Sequence, residues 1–139
     1  MTRILSVDYG DKRVGIAISD ILKIIAKPYD TIENKSDKFV VDKILEMAND
    51  KNVEKIIVGL PLTMKGEYSI QTDKVLDFIN LLKKNTSISI EKYDERLSSL
   101  EAKKSLIKQG IKTGHNKSEV DKTAAAIFLQ SYLNKNDNF

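Results

Sequence analysis

The alternation of apolar and polar positions divides the chain into a short series of elements. Residues 3–8, "RILSVD", and 14–19, "VGIAIS", are apolar runs of strand length joined by a polar link containing Gly10, which predicts an antiparallel hairpin. Residues 24–33 predict a third strand, and Pro28 makes it an edge strand or a bulged one. From Ser36 or Asp37 the period lengthens: Phe39, Val40, Ile44 and Met47 recur every three to four residues, and 49–52 close the helix. "EKIIVGLP" follows, with Ile56, Ile57 and Val58 in a continuous apolar run ending at Gly59 and Pro61, as in a strand buried on both faces. "LTMKGEYS" reads as a loop. A second helix starts near Ser69, with Val75, Phe78, Ile79 and Leu82 on one face, and "SISIEKYDER" supplies a fifth, partly alternating strand. Ser98 with Glu101 forms a capping box for a third helix over 99–109, which Gly110 stops. "IKTGHNKS" is a polar connection. Ser118 opens the last helix, with Val120, Ala124, Ile127, Phe128 and Ser131 on one face, and residues 134–139 form a frayed tail.

Hairpin, edge strand, helix, strand, helix, strand and two terminal helices predict an α/β fold. It is a five-stranded mixed sheet of order 3-2-1-4-5, with the second strand antiparallel and helices on both faces, because right-handed crossovers carry strands four and five parallel to strand one. Sites in such sheets lie beyond the carboxyl ends of the central parallel strands. Asp8, Gly59 and the pair Asp94/Glu95 fall there.

Three acidic positions then stand out: Asp8 ending strand one, Glu95 ending strand five and Asp121 in the first turn of the last helix. Each has an ordinary explanation. Acidic residues after strands are commonly solvated, and "SEVD" from Ser118 is itself a capping box whose carboxylate favours the helix dipole. Taken together they weigh more, since the topology brings the ends of strands one and five together. The small run Ala124–Ala126 also lets the last helix press its first turn towards the same place. Three converging carboxylates repel one another, and a hard divalent cation, Mg²⁺ or Mn²⁺, relieves that repulsion through an all-oxygen site. Two such ions on the order of 4 Å apart can activate water and stabilise a leaving oxygen in phosphodiester hydrolysis. Asp94 competes with Glu95, because alternation sends their side chains to opposite faces and a one-residue slip exchanges them.

Composition narrows the classes. The 139 residues, 41% hydrophobic, suit one domain spanning 1–139. No stretch nears the roughly 20 apolar residues of a membrane span, and the N-terminus lacks a secretory layout, so a soluble cytoplasmic protein without a membrane partner is expected. With no cysteine, disulfides and thiolate metal sites are excluded. The net charge of +3, from 23 basic and 20 acidic residues, is too balanced to identify a polyanionic partner by itself. Its distribution says more: between Ala102 and Lys122 six lysines face only Glu119 and Asp121. Lys103, Lys104, Lys108, Lys112 and Lys117 are therefore candidates for a nucleic-acid surface, although helix-surface lysines commonly serve solubility alone. Lys12, Arg13 and Lys65 flank the acidic positions and are candidates for phosphate contacts; a solvated turn and a plain strand end are the competing explanations. Arg96 is expected to pair with Asp94, His115 to be an exposed loop histidine, and Phe128 and Tyr132 to lie in the core.

"VDYGDKRVGIAISD", "IIVGLPLTMKGEYS", "YDERLSS" and "NKSEVDKTAAAIFLQSYL" resemble, in order and across essentially the whole chain, the successive motifs of the YqgF/RuvX family. The resemblance implies a ribonuclease H-like fold and a nuclease related to Holliday junction resolvases that matures the 5′ end of pre-16S ribosomal RNA. It carries the family's acidic triad onto Asp8 in "VDYG", Glu95 in "DERL" and Asp121 in "EVDK". Lys122 departs from the pattern, standing where relatives often carry a small residue. Pre-rRNA, in ribosomal precursor particles, is the implied partner and branched DNA the rival, acted on by a monomer or a homodimer. Two other classes compete. "DYGDKRVGIAIS" also resembles the first phosphate loop of actin-like ATP-binding domains, which close two such domains around a nucleotide. A non-catalytic RNA-binding protein could keep the same fold, though an intact triad argues for chemistry.

Overall fold

The computed structural model describes residues 1–98, 100–110 and 117–135. Its elements are β1 (Arg3–Tyr9), β2 (Arg13–Ser19), β3 (Ala26–Glu33), α1 (Asp37–Asp50), β4 (Val53–Leu60), α2 (Ile70–Lys84), β5 (Ser89–Asp94), a 3-10 turn (Glu95–Leu97), α3 (Leu100–Lys108) and α4 (Lys117–Lys135). The strands form one sheet in the order β3-β2-β1-β4-β5. β2 runs antiparallel to β1 and β3, whereas β1, β4 and β5 are mutually parallel. This is the expected architecture and order.

Alternation along the central strands feeds two cores. Leu5, Val7, Val14, Ile16, Ile56 and Val58 pack with Val40, Val41 and Ile44 of α1 and with Val75, Phe78, Ile79 and Leu82 of α2. Ile4, Ala17, Ile57 and Tyr93 face the other way, towards Leu106 of α3 and Ala125, Ala126, Phe128, Leu129, Tyr132 and Leu133 of α4. Both faces of the sheet are covered, which is why residues 56–58 read as continuously apolar. The α4 side is paved with small residues, and Ser6 Oγ donates to the Ala125 carbonyl at 2.9 Å, so helix backbone meets sheet directly. A leucine at Ala125, which is fully buried, would overpack that contact at a cost of about 1–3 kcal/mol.

Local signals set the element ends. Ser36 caps α1, its hydroxyl accepting from the Phe39 N–H at 3.1 Å, and Asn52 in the left-handed region (φ 56°) turns the chain into β4. Ser69 and Thr72 form a reciprocal capping box on α2. Gly110, at φ 79°, ends α3 with its N–H on the Ile107 carbonyl. β3 starts at Ala26 rather than 24, because Asp20 Oδ1 accepts from the Ile24 and Ile25 N–H groups and holds them in the turn. Its register shifts beside Pro28, and it lies at the sheet edge, as a proline there requires.

Several expectations need correction or fall outside the described residues. Glu95 does not end β5: the strand stops at Asp94, whose carboxylate accepts from the Arg96 N–H and starts the 3-10 turn. α4 begins at Lys117 rather than Ser118, and the two proposed capping boxes involve Glu101 and Ser118, whose side chains are not among those described. Burial of α4 also extends well beyond the face that Val120, Ala124, Ile127, Phe128 and Ser131 share. Ala124 and Ile127 are only half-buried, while Ala125, Ala126, Phe128, Leu129, Gln130, Ser131, Tyr132 and Leu133 are all buried. The helix is wedged between the sheet and α3, so apolar residues surround it instead of forming a stripe. Asn134 and Lys135 continue α4, and 136–139, like the connection 111–116 with His115, lie outside the described residues. Among the described residues no helix is long and apolar enough to cross a membrane.

Candidate active site

The site is built around the carboxyl end of β1. Asp8 is an even-numbered residue of a strand whose Ile4 and Ser6 face α4, so its carboxylate emerges on that side. Its neighbour across the antiparallel ladder is Gly15. A Cβ at Gly15 would lie 2.1 Å from the carbonyl oxygen of Asp121, so the missing side chain is what admits the first turn of α4. On the other flank, a Cβ at Gly59 would lie 2.7 Å from Glu95 Oε1 and 2.9 Å from the Phe128 ring. Glu95 therefore folds back over bare backbone of β4. Two glycines thus clear the space around Asp8, one for a helix end and one for a side chain.

Within that space the Asp8 and Glu95 carboxyls are close enough for each to shift the other's titration. Burial, the charge and hydrogen bond of Glu95, and the charge of Asp121 together push the Asp8 carboxyl up to about 8 from its ordinary 3.8. Glu95 is also raised, by burial first and then by Asp94. Asp121 stands close enough for Asp8 to feel its charge, but its carboxylate accepts from Arg13 Nε at 2.9 Å. Among the described residues no three Asp, Glu, His or Cys side chains are gathered tightly enough to hold a metal ion as they stand. The sequence-predicted triad is thus two carboxyls in contact and a third alongside, turned to an arginine.

The donor set nevertheless suits a hard dication. Two neighbouring carboxyls in a partly desolvated cleft form an all-oxygen pair whose mutual repulsion a cation would relieve. Asp8 and Glu95 would hold it, with Asp121 as the third ligand once its carboxylate leaves Arg13.

The turn carrying Glu95 is braced from below. Asp94 accepts from Arg96 through Oδ1 and Oδ2, at 2.7 Å in the shortest contact, which holds the Asp94 carboxyl below its usual range. The expected Arg96–Asp94 pair is present, and Glu95 lies with Phe128 of α4 against Gly59. Gly66 of the β4–α2 loop lies against the same guanidinium, so the loop bearing exposed Lys65 borders this turn. Lys12 is exposed in the β1–β2 link, and Lys103, Lys104 and Lys108 are exposed on α3. Lys112 and the side chain of Lys117 are not among those described. A cleft of about 720 Å³ between β3 and α1 contains none of the three acids. Sequence reasoning missed the Arg13–Asp121 pair. It also read Gly59 as a strand end, although an apolar run that stops at a glycine level with Asp8 was the available signal.

The family profile described as "RuvX: Holliday junction resolvase" matches residues 2–135. A protein of Endomicrobium trichonymphae named "Putative pre-16S rRNA nuclease" is 42% identical over 134 residues, covering 96% of each chain. One of the same name from Clostridioides difficile is 37% identical over 131 residues, covering 94% of this chain and 93% of that one. In fold, the chain is similar to Thermus thermophilus RuvC in complex with a Holliday junction substrate, with a TM-score of 0.66 at 12% identity over 98% and 97% of the two chains. It is also similar to the fowlpox virus Holliday junction resolvase, with a TM-score of 0.56 at 19% identity over 96% and 99%. The sheet is therefore that of the ribonuclease H-like resolvases. With a profile match over nearly its whole length and relatives near 40% identity, the chain belongs to the RuvX (YqgF) family of phosphodiester-hydrolysing enzymes.

Proposed function

We propose that this chain is a divalent-metal-dependent ribonuclease that processes the 5′ end of pre-16S ribosomal RNA, with Asp8, Glu95 and Asp121 as its catalytic carboxylates and metal ligands. The observation that carries the reading is the Asp8–Glu95 carboxyl pair beside Asp121 at the end of the central strand, a concentration of negative charge that needs a proton or a cation to exist. The names of the relatives support the RNA substrate. A cation bound there lowers the pKa of water and offsets the charge that builds on the scissile phosphate. The protein's own contribution is placement. β1 fixes Asp8 on a strand hydrogen-bonded on both sides, the Asp94–Arg96 clamp holds the turn that aims Glu95, and Gly15 fixes the main chain of Asp121. Exposed Lys12, Lys65, Lys103, Lys104 and Lys108, together with Lys112 and Lys117, supply backbone phosphate contacts, which position RNA without reading its sequence. The setting is cytoplasmic, on precursor particles.

The test is cleavage of a pre-16S leader RNA, a DNA four-way junction and ATP by the purified protein with Mg²⁺, Mn²⁺ or chelator. The reading expects cation-dependent cutting of the RNA that Asp8→Asn abolishes. Preferential cutting of the junction would transfer the chemistry to DNA. ATP turnover, or RNA binding with no cleavage under any condition, would overturn the reading.

A further inference from the structure

Arg13 opens β2 and shares a face with Gly15 two residues on, the glycine over which α4 begins. Its Nε donates to Asp121 Oδ2 at 2.9 Å across 108 residues of sequence. The main chain of Asp121 is pinned against Gly15, so only its side chain is free to change partners. Both members are about one-quarter to one-third exposed, 32% for Arg13 and 26% for Asp121. Such a pair is weak enough to exchange, unlike a buried one, which is held by the cost of leaving a charge uncompensated.

We infer that Arg13 is a positioning residue for the carboxylate cluster: its guanidinium and a divalent cation are alternative partners of Asp121. Arg13 then holds the third carboxylate aside from the Asp8–Glu95 pair until a cation takes it. This rests on the metal-dependent reading above and adds to it an internal competitor for the ion. A cation must displace a guanidinium from Asp121, so the free enzyme binds metal less tightly than its donor set allows. An arginine that merely stapled β2 to α4 would have the opposite effect, because its loss would loosen the ligand and weaken binding.

Calorimetric titration of Mn²⁺ into the RNA-free full chain, at fixed pH and ionic strength, separates the two. Exchange predicts that Arg13→Gln binds Mn²⁺ roughly two- to fivefold more tightly than wild type, the fold-change expected from losing one partly exposed ion pair. In an Asp121→Asn background the same substitution should leave the Kd unchanged, since the competition runs through that carboxylate. Should Arg13→Gln fail to fold, Arg13→Lys serves instead: it keeps the charge, loses the planar contact and should tighten binding by less. Equal or weaker binding in the Arg13 variants overturns the exchange while leaving the metal site standing. A gain that persists in Asp121→Asn also overturns it, as a mere change of field. Wild-type protein that binds no Mn²⁺ in a manner sensitive to Asp8→Asn overturns both readings.

Discussion

The backbone of Gly15 and the carbonyl of Asp121 are in direct contact: a Cβ on Gly15 would lie 2.1 Å from that oxygen and 2.8 Å from the Lys122 nitrogen. Strand and helix end meet here as bare main chain, and neither can rotate away. Gly15→Ala should therefore lower stability by about 1–3 kcal/mol and push the start of α4 off the sheet. The displacement should cost about a hundredfold in RNA cleavage. Thermal melts and cleavage rates at matched folded fraction check both effects; a fully active Ala variant would mean that the position of Asp121 is immaterial.

Gly59→Ala is the informative contrast. Its nearest neighbour is the end of a side chain, Glu95 Oε1 at 2.7 Å, with Phe128 Cε1 at 2.9 Å. Glu95 can swing aside, so stability should fall by only about 1 kcal/mol. Activity should nevertheless fall as far as in Gly15→Ala, because the carboxylate that moved is part of the site. The diagnostic quantity is activity lost per degree of Tm, expected to be larger at 59 than at 15.

These two glycines also show what the sequence conceals. β4 was legible as a continuous apolar run because the sheet is covered on both faces, with Ile56 and Val58 in one core and Ile57 in the other. Asp94 and Glu95 were legible only as competing acids at the end of β5, since a one-residue slip exchanges them. α4 itself was not, because a helix buried nearly all round leaves no stripe to read. Nor was the Arg13–Asp121 pair, since no local spacing records a partner 108 residues away. Which backbone Gly15 admits becomes visible only once register places it opposite Asp8.

The Asp8 carboxyl, raised from 3.8 to about 8, makes metal-free stability depend on pH. The folded state keeps this proton over a range where the unfolded chain has lost it. Stability from this group is therefore complete below about pH 4 and is lost as pH rises towards 8. Asp8→Asn removes the dependence. In chelator its unfolding free energy should overtake that of wild type as pH rises through that window, by roughly 1–3 kcal/mol near pH 8. Asp121→Asn should show no such gain and should lose about 0.2–1 kcal/mol, because its carboxylate is already partnered by Arg13. Melting curves across the pH range decide it; parallel curves for wild type and Asp8→Asn would contradict the raised Asp8 carboxyl.

Cation binding should carry the same proton signature. Near neutral pH, loading the site expels the proton held on Asp8, so Mn²⁺ affinity should rise with pH up to about 8 by as much as tenfold per unit. Calorimetry in buffers of different ionisation enthalpy should count about one proton released per ion in wild type and close to none in Asp8→Asn. Proton-neutral binding by wild type would count against this pair as the site.

The most direct measurement is anomalous diffraction from crystals of the protein soaked in Mn²⁺. The account predicts a peak bounded by carboxylate oxygens of Asp8 and Glu95, with Asp121 turned from Arg13 towards it. A Mn²⁺-saturated crystal with no density there, and the Asp8–Glu95 and Arg13–Asp121 contacts intact, would contradict it.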